Sequence, residues 1–214
     1  MANMAACVED PDVEFVLLDY QSDDGLREWV RMTLGDAIAS GRLVFGYVSP
    51  APYFRMAHAK NIAHRLATGN VLCNIDADNI IVPGYSSWLR DQFADHPSLV
   101  VAPRRYSAWD WISERIIERL LPMRRAPAGL LGRIAIGRRL FYQLGGYNED
   151  LRGWGMDDML LRLRARDSGA VEYTVPRAYW GNVLQHNAAD RIANMSSEDQ
   201  LASRAKFDQT LLSE

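Results

Sequence analysis

Three apolar runs with helical segments between them constrain this chain more than any other feature. VEFVLLDY (Val13 to Tyr20), LVFGYV (Leu43 to Val48) and VLCNI (Val71 to Ile75) are apolar and partly β-branched. That makeup belongs to strands covered on both faces, as in parallel sheets. Between the first two lies GLREWVRMTLGDAIASG, Gly25 to Gly41, which reads as a helix closed by glycine, with Ser22, Asp23 or Asp24 available as its cap. Between the second and third, MAHAKNIAHRLATG reads as a helix stopped by Gly69, with Ile62 and Leu66 four apart on one face. SSWLRDQFADHP and LVVAPRRY continue the alternation as helix and strand. Strand, helix, strand, helix, strand is the signature of a mostly parallel sheet with helices on its faces. Ligands in such folds bind at the carboxyl ends of the strands, and Asp19 and the pair Asp76 and Asp78 stand at such ends.

The pair is the sharpest anomaly. In VLCNIDADNII an apolar strand runs straight into two carboxylates one residue apart. Desolvating an unpaired charge costs several kcal/mol or more, so a buried strand end of this kind needs a cationic partner, such as a divalent metal. Asp and Asn are also good turn residues, and a polar turn leading into NIIVPGY explains the same letters. Both readings stay open on these residues alone.

The second half is organised differently. SAWDWISERIIERLLPMRRAP, Ser107 to Pro127, has Trp111, Ile112, Ile116, Leu120 and Leu121 near helical spacing, then Arg124 and Arg125. It reads as a helix covering a core, with an interfacial membrane helix as the alternative. GRIAIGRRLFYQLGGY reads as a short strand and a helix. NEDLRGWGMDDMLLRLRARDSG reads as a loop and a helix with apolar positions Met159, Leu160 and Leu163. No repeat or linker divides the 214 residues, so a single domain is expected, with a first half over 1–103 and a second over 104–214. A net charge of −3 lacks the basic footprint of nucleic-acid binding. No apolar run approaches the roughly 20 residues of a membrane span, and the N-terminus lacks the look of a signal peptide, so a cytoplasmic location is expected. Cys7 and Cys73 lack metal-ligand spacing and read as reduced packing residues.

Four motifs then fall in one order: DYQSDDG, FRMAHAKNIAHRLATGNVLCNIDADN, GRIAIGRRLFYQLGGYNEDLRGWGMDD and LQHN. Over roughly residues 10–190 the chain resembles the metal-dependent glycosyltransferases of the GT-A fold, a Rossmann-like α/β fold. The similarity is to the family 2 type with a galactosyltransferase-like C-terminal half. The resemblance implies an inverting hexosyltransferase that moves a sugar from a nucleoside-diphosphate sugar, with UDP-sugar favoured, to an acceptor hydroxyl. It places nucleotide-sugar and metal binding in the first half, and acceptor binding and catalysis in the second.

It also implies roles. Asp78 ligates the metal and Asp76 contacts the ribose or a metal-bound water. His186 is the second protein ligand, and an imidazole beside oxygens favours Mn²⁺ over Mg²⁺. Asp19 hydrogen-bonds the base or ribose, and Arg55 and Asn61 serve the donor; read without the family, they are a solvated charge and a cap or turn amide. Asp158 is the general base, Asp157 binds acceptor hydroxyls and Trp154 is the platform for a sugar ring. Both aspartates also suit the start of a helix, where the dipole favours negative charge.

Three features depart from the family pattern. MANMAACVEDPD reads as the helix after the usual first strand, so that strand is expected to be missing. Val183 stands where some members place a sulfur ligand, and Asp157 replaces the usual glutamate. Two further functions are compatible: a truncated nucleotide-sugar-binding domain that needs a partner, and a sugar nucleotidyltransferase. Against the second, no glycine-rich basic loop near the N-terminus awaits a triphosphate.

Overall fold

The structure, a computed structural model, describes residues 1–103, 128–130, 132–184 and 188–212. The expected helix over Ser107 to Pro127 and the expected ligand His186 lie outside the described residues. In chain order the elements begin α1 (Ala2–Ala6), β1 (Phe15–Asp19), α2 (Leu26–Thr33), α3 (Gly35–Ala39), β2 (Leu43–Tyr47), α4 (Met56–Leu66), β3 (Val71–Cys73) and β4 (Asn79–Ile80). They continue α5 (Tyr85–Asp95), β5 (Leu99–Ala102), β6 (Ala135–Gly137), α6 (Arg138–Gln143), α7 (Asp157–Asp167), β7 (Val171–Thr174), β8 (Asn182–Val183), α8 (Ala188–Ile192) and α9 (Ser197–Leu212).

These elements form two compact units. One comprises Met1–Asp10, Asn70–Leu144 and Leu161–Gln185, the other Pro11–Gly69, Gly145–Leu160 and His186–Glu214. The donor-side residues divide between them, Asp76 and Asp78 falling in the first, Asp19, Arg55 and Asn61 in the second.

The first unit is built on a four-stranded sheet in the order β3-β6-β5-β7. β5 has a neighbour on each side, β7 parallel and β6 antiparallel, and Leu99, Val100, Val101 and Ala102 are all fully buried. This is why LVVA is apolar without alternation. The strand stops at Ala102 because Pro103 cannot donate to a ladder. β3 is a correction: it pairs with β6 antiparallel, and only Leu72 of its three residues is buried. A second antiparallel ladder joins β4 to β8, with Asn79 opposite Val183. Gly181, at φ +66°, leads into β8 where an added Cβ would lie 2.0 Å from Ile80 O, so only glycine admits this approach. On α7 the buried positions are Asp157, Leu161, Arg162 and Ala165, whereas Met159, Leu160 and Leu163 are half-buried. Arg162 is buried because Glu172 of β7 receives its guanidinium.

In the second unit β1 and β2 run parallel, Phe15 opposite Leu43 and Asp19 opposite Tyr47, with helices between them in sequence as the alternation requires. The expected single helix over Gly25 to Gly41 is two helices, broken at Leu34. Gly25 precedes α2 in the left-handed region at φ +80°, and Asp24 Oδ1 accepts the Leu26 amide at 3.1 Å. α4 departs from expectation in a consequential way. Its buried residues are Ala57, Lys60, Asn61 and His64, a proper helical stripe, while Ile62 is half-buried and Leu66 lies at the exposed end. After α4 the Thr68 and Gly69 amides are taken by Glu14 Oε1, the latter at 2.8 Å.

Cys7 is buried and Cys73 lies in β3; both are free thiols. Burial pushes the Cys73 thiol up to about 11, so at neutral pH it is an inert packing group.

Candidate functional site

The described site residues are divided between the two units. In the first unit the chain leaves β3 at Asn74, whose amide group donates to Asp76 Oδ1 at 2.8 Å and to Gly132 O at 2.9 Å. Asp76 O accepts the Asn79 amide at 2.8 Å, closing a turn around Asp78. Asn79, nearly fully buried, donates to Asp78 Oδ1 at 2.7 Å and to Gly129 O at 2.9 Å. Asp78 O accepts the Leu184 amide at 2.8 Å, which extends the β4-β8 pairing to the aspartate.

Beneath this turn lies Arg133, the largest fully buried side chain among the described residues. It donates to Asn79 Oδ1 at 3.1 Å and to the carbonyls of Tyr179 and Trp180 at 3.0 and 2.9 Å, and stacks on Tyr85. The path runs Arg133 to Asn79 to Asp78, so a buried cation fixes a half-buried carboxylate through one amide. Asp76 and Asp78 are both half-buried and sit on a turn with main-chain support.

This donor set suits a hard divalent cation. Mg²⁺ and similar ions are held by one or two carboxylates together with water and substrate phosphate, rather than by an all-protein cage. Among the described residues no group of three or more His, Cys, Asp or Glu side chains converges. Val183 is buried in the ladder opposite Asn79 and packs against Gly129, where an added Cβ would lie 2.5 Å from its methyl.

In the second unit Asp19 ends β1 and is 1% exposed. Its Oδ1 accepts the Ser22 amide at 2.7 Å. Its Oδ2 has no hydrogen-bond partner among the described residues, with Arg27 Nε 3.8 Å away. Arg27 lies against the Tyr47 ring at 3.3 Å, and the Tyr47 hydroxyl is drawn below its usual range by a hydrogen bond with Ser49 and then by Arg27.

Asn61 lies on α4 and is buried. Both its amide hydrogens are used inside the protein, by Tyr147 O at 2.9 Å and Glu149 Oε1 at 2.8 Å, and its Oδ1 accepts the Tyr147 amide at 2.8 Å. These bonds tie α4 to the loop at Tyr147 and Glu149. Arg55 precedes α4 and donates to Glu149 O at 3.1 Å, beside an open cleft lined also by His58, Arg152, Asp157 and Asp199.

The cleft is bounded by the loop GWGM. Gly153, Gly155 and Met156 all have positive φ, and for Met156, at 74°, this is a strained conformation of the sort that functional loops store. The loop is pinned from α9: Asp199 Oδ1 accepts the Gly153 amide at 3.0 Å and Ser203 Oγ accepts the Trp154 amide at 2.8 Å. Ser196 Oγ in turn accepts the Asp199 amide at 3.1 Å, a capping pattern that the letters SSED carry and that the reading of the sequence passed over. Trp154 is half-buried.

Asp157 and Asp158 are the first two residues of α7. They meet Lys60, which no sequence signal had singled out. Lys60 Nζ lies 2.7 Å from Asp157 Oδ2 and 2.8 and 2.9 Å from the two oxygens of Asp158. Lys60 and Asp157 are buried, and Asp158 is more open. One turn on, burial lowers His64 to about 4, so its ring is neutral and its Nδ1 meets Lys60 O at 2.7 Å.

No protein-family model matches the chain, and no curated protein does. Solved structures do. A mannosyltransferase from Pyrobaculum calidifontis, solved with GDP-Man and Mn²⁺, is 22% identical with a TM-score of 0.57, over 82% of this chain and 51% of that one. GalNAc-T7, solved with UDP, GalNAc and Mn²⁺, is 18% identical with a TM-score of 0.60, over 81% and 39%. S. aureus TarS 1-349, solved with UDP-GlcNAc, is 15% identical with a TM-score of 0.61, over 92% and 56%. The chain thus spans about half or less of the length of these proteins. The likeness shows the GT-A fold, an α/β architecture whose longest ladders here are the parallel ones.

Proposed function

We propose that this chain is a metal-dependent, inverting glycosyltransferase that moves a sugar from a nucleoside-diphosphate sugar to an acceptor hydroxyl. The observation that carries the reading is the carboxylate pair Asp76 and Asp78, held at a strand exit by Asn79 and Arg133 in a GT-A fold. Asp78 and His186 are the residues that would hold Mn²⁺ or Mg²⁺, with Asp76 on the ribose or a metal-bound water. The ion supplies charge neutralisation for a departing diphosphate.

The remaining residues bind and move a proton. Asp19 keeps one buried carboxylate oxygen without a hydrogen-bond partner among the described residues, and a single acceptor matches the one imino N–H of uracil better than the paired N–H groups of guanine, which supports a UDP-sugar as donor. Arg55 faces the diphosphate. Asn61 shapes the acceptor loop through Tyr147 and Glu149. Trp154 stacks on the acceptor ring, and Asp157 orients its hydroxyls. The acceptor oxygen attacks the anomeric carbon, the bond from that carbon to the phosphate oxygen breaks with its electron pair, and the acceptor proton passes to Asp158. A single displacement inverts the anomeric centre.

The test is a panel of nucleotide sugars screened by metal-dependent thermal stabilisation, followed by release of nucleoside diphosphate with a pool of hydroxyl acceptors. Stabilisation by UDP-sugars and acceptor-dependent release support the reading. Stabilisation without release for any acceptor reduces the chain to a nucleotide-sugar-binding module.

A further inference from the structure

Along a strand the hydrogen-bonding groups of successive residues turn to opposite edges, and β4 has a partner on each. On one edge Asp78 O accepts the Leu184 amide at 2.8 Å, which continues the ladder with β8. On the other stands the side chain of Asn3, from the N-terminal helix α1. Its Nδ2 donates to Asn79 O at 2.9 Å and its Oδ1 accepts the Ile81 amide at 3.0 Å. A carbonyl and the amide two residues on are what a neighbouring strand would engage, and one carboxamide supplies the donor and the acceptor for both. All of these residues belong to the first unit.

Every polar group of Asn79 is in use. Its amide donates to Asp76 O, its carbonyl accepts from Asn3, its Oδ1 accepts from Arg133, and its Nδ2 donates to Asp78 Oδ1 and to Gly129 O. The bonds to Asp76 and Asp78 reach the carboxylate turn directly. Those to Asn3, Arg133 and Gly129 hold Asn79 where it can make them.

We propose that Asn3 is a positioning residue for the metal site: it takes the outer edge of β4 in place of a strand and keeps Asn79 set to orient Asp78 and to close the turn at Asp76. The inference rests on the transferase reading, in which Asp78 serves the metal and Asp76 the ribose or a metal-bound water. A ligating carboxylate is only as well placed as the groups that orient it, and losing such an outer partner costs about 10-fold to 100-fold in metal affinity. Asn3 acts one step further out, through Asn79, so a loss of about threefold to tenfold is expected. The residue type follows from the two bonds. Alanine would leave the Asn79 carbonyl and the Ile81 amide without this partner, and aspartate would keep an acceptor for Ile81 but set a carboxylate oxygen against the Asn79 carbonyl.

Two measurements on the full chain test this, for wild type, Asn3→Ala and Asn3→Asp, each checked by thermal unfolding. The first needs no metal: amide hydrogen exchange of the metal-free protein, which reads local opening. Ile81 loses protection in Asn3→Ala whatever Asn3 does, since its acceptor is gone. Positioning requires more, that the Asn79 and Leu184 amides, bonded to Asp76 O and Asp78 O, lose protection as well. The second is the Mn²⁺ concentration at which UDP binding is half-maximal, read by calorimetry. Asn3→Ala should raise it about threefold to tenfold and Asn3→Asp at least as much. Should Asn3→Ala fail to fold, Asn3→Asp decides alone. Loss of protection confined to Ile81, or an unchanged half-maximal Mn²⁺ concentration whatever the loss of stability, makes Asn3 a local tie and overturns the inference while the transferase stands. UDP binding by the wild type that is absent or indifferent to Mn²⁺ overturns the metal-dependent transferase reading, and this inference with it.

Discussion

His64 makes the fold acid-sensitive through a defined mechanism. The ring is 6% exposed, its Nδ1 donates to Lys60 O at 2.7 Å, and burial lowers its folded value to about 4. In the unfolded chain it titrates near 6.5. Because the folded value is depressed, the unfolded state binds the proton first as pH falls. Stability is therefore full above about pH 6.5 and is lost progressively down to about pH 4. At 1.36 kcal/mol per unit, the gap of roughly 2.5 units amounts to about 3 kcal/mol, most of it gone by about pH 4.5. The assay is urea unfolding of wild type and His64→Gln across this range. Gln retains an N–H for the Lys60 carbonyl and cannot charge. Carboxylates titrate in both proteins, so the quantity of interest is the difference between the two curves. At neutral pH the variant should be the less stable by about 1 to 2 kcal/mol from lost packing. Near pH 4.5 the order should reverse. Parallel curves across the whole range would refute the argument, since a ring that charges without cost in the fold is not buried as the structure has it.

Asp78→Asn keeps the oxygen that Asn79 donates to and should leave stability within about 1 kcal/mol, while metal-dependent binding of UDP, read by calorimetry, disappears. His186→Ala should weaken the same binding, and wild-type metal affinity should fall as pH drops through about 6.5, because only the neutral imidazole ligates. Asp158→Asn should preserve donor binding and lower turnover by roughly 10²-fold to 10⁴-fold, measured as acceptor-dependent release of nucleoside diphosphate. Arg133→Met strips Asn79 Oδ1 and two carbonyls of their buried donor and should cost about 3 kcal/mol in chemical unfolding, with weaker metal-dependent nucleotide binding as the aspartate turn loosens.

The sequence by itself determined the elements that rest on local signals. LVVA became β5 because a strand deep in a sheet needs apolar residues on both faces, and VEFVLLDY and LVFGYV became β1 and β2, a parallel pair whose residues are mostly half-buried. The placing of Asp19, Asp76 and Asp78 at strand exits followed from the same runs, since the carboxylates begin where the apolar stretch ends. Tertiary structure decided the rest. The antiparallel partner of β3 is a strand more than 60 residues on, and nothing in VLC distinguishes the two orientations. The second helix breaks at buried Leu34, at φ −118° and just before Gly35. Above all, α4 turns Lys60, Asn61 and His64 inward while the sequence points to Ile62 and Leu66. A hydrophobic period can find only an apolar face. A polar face becomes the buried one when its partners arrive from elsewhere, and Asp157 and Glu149 stand 97 and 88 residues further along the chain. Arg133 was illegible for the same reason: an arginine in GRIAIG reads as solvated until Asn79 and two carbonyls close around it. Buried polar groups are specified by their counterparts in space, and a linear pattern carries no trace of which counterpart will be there.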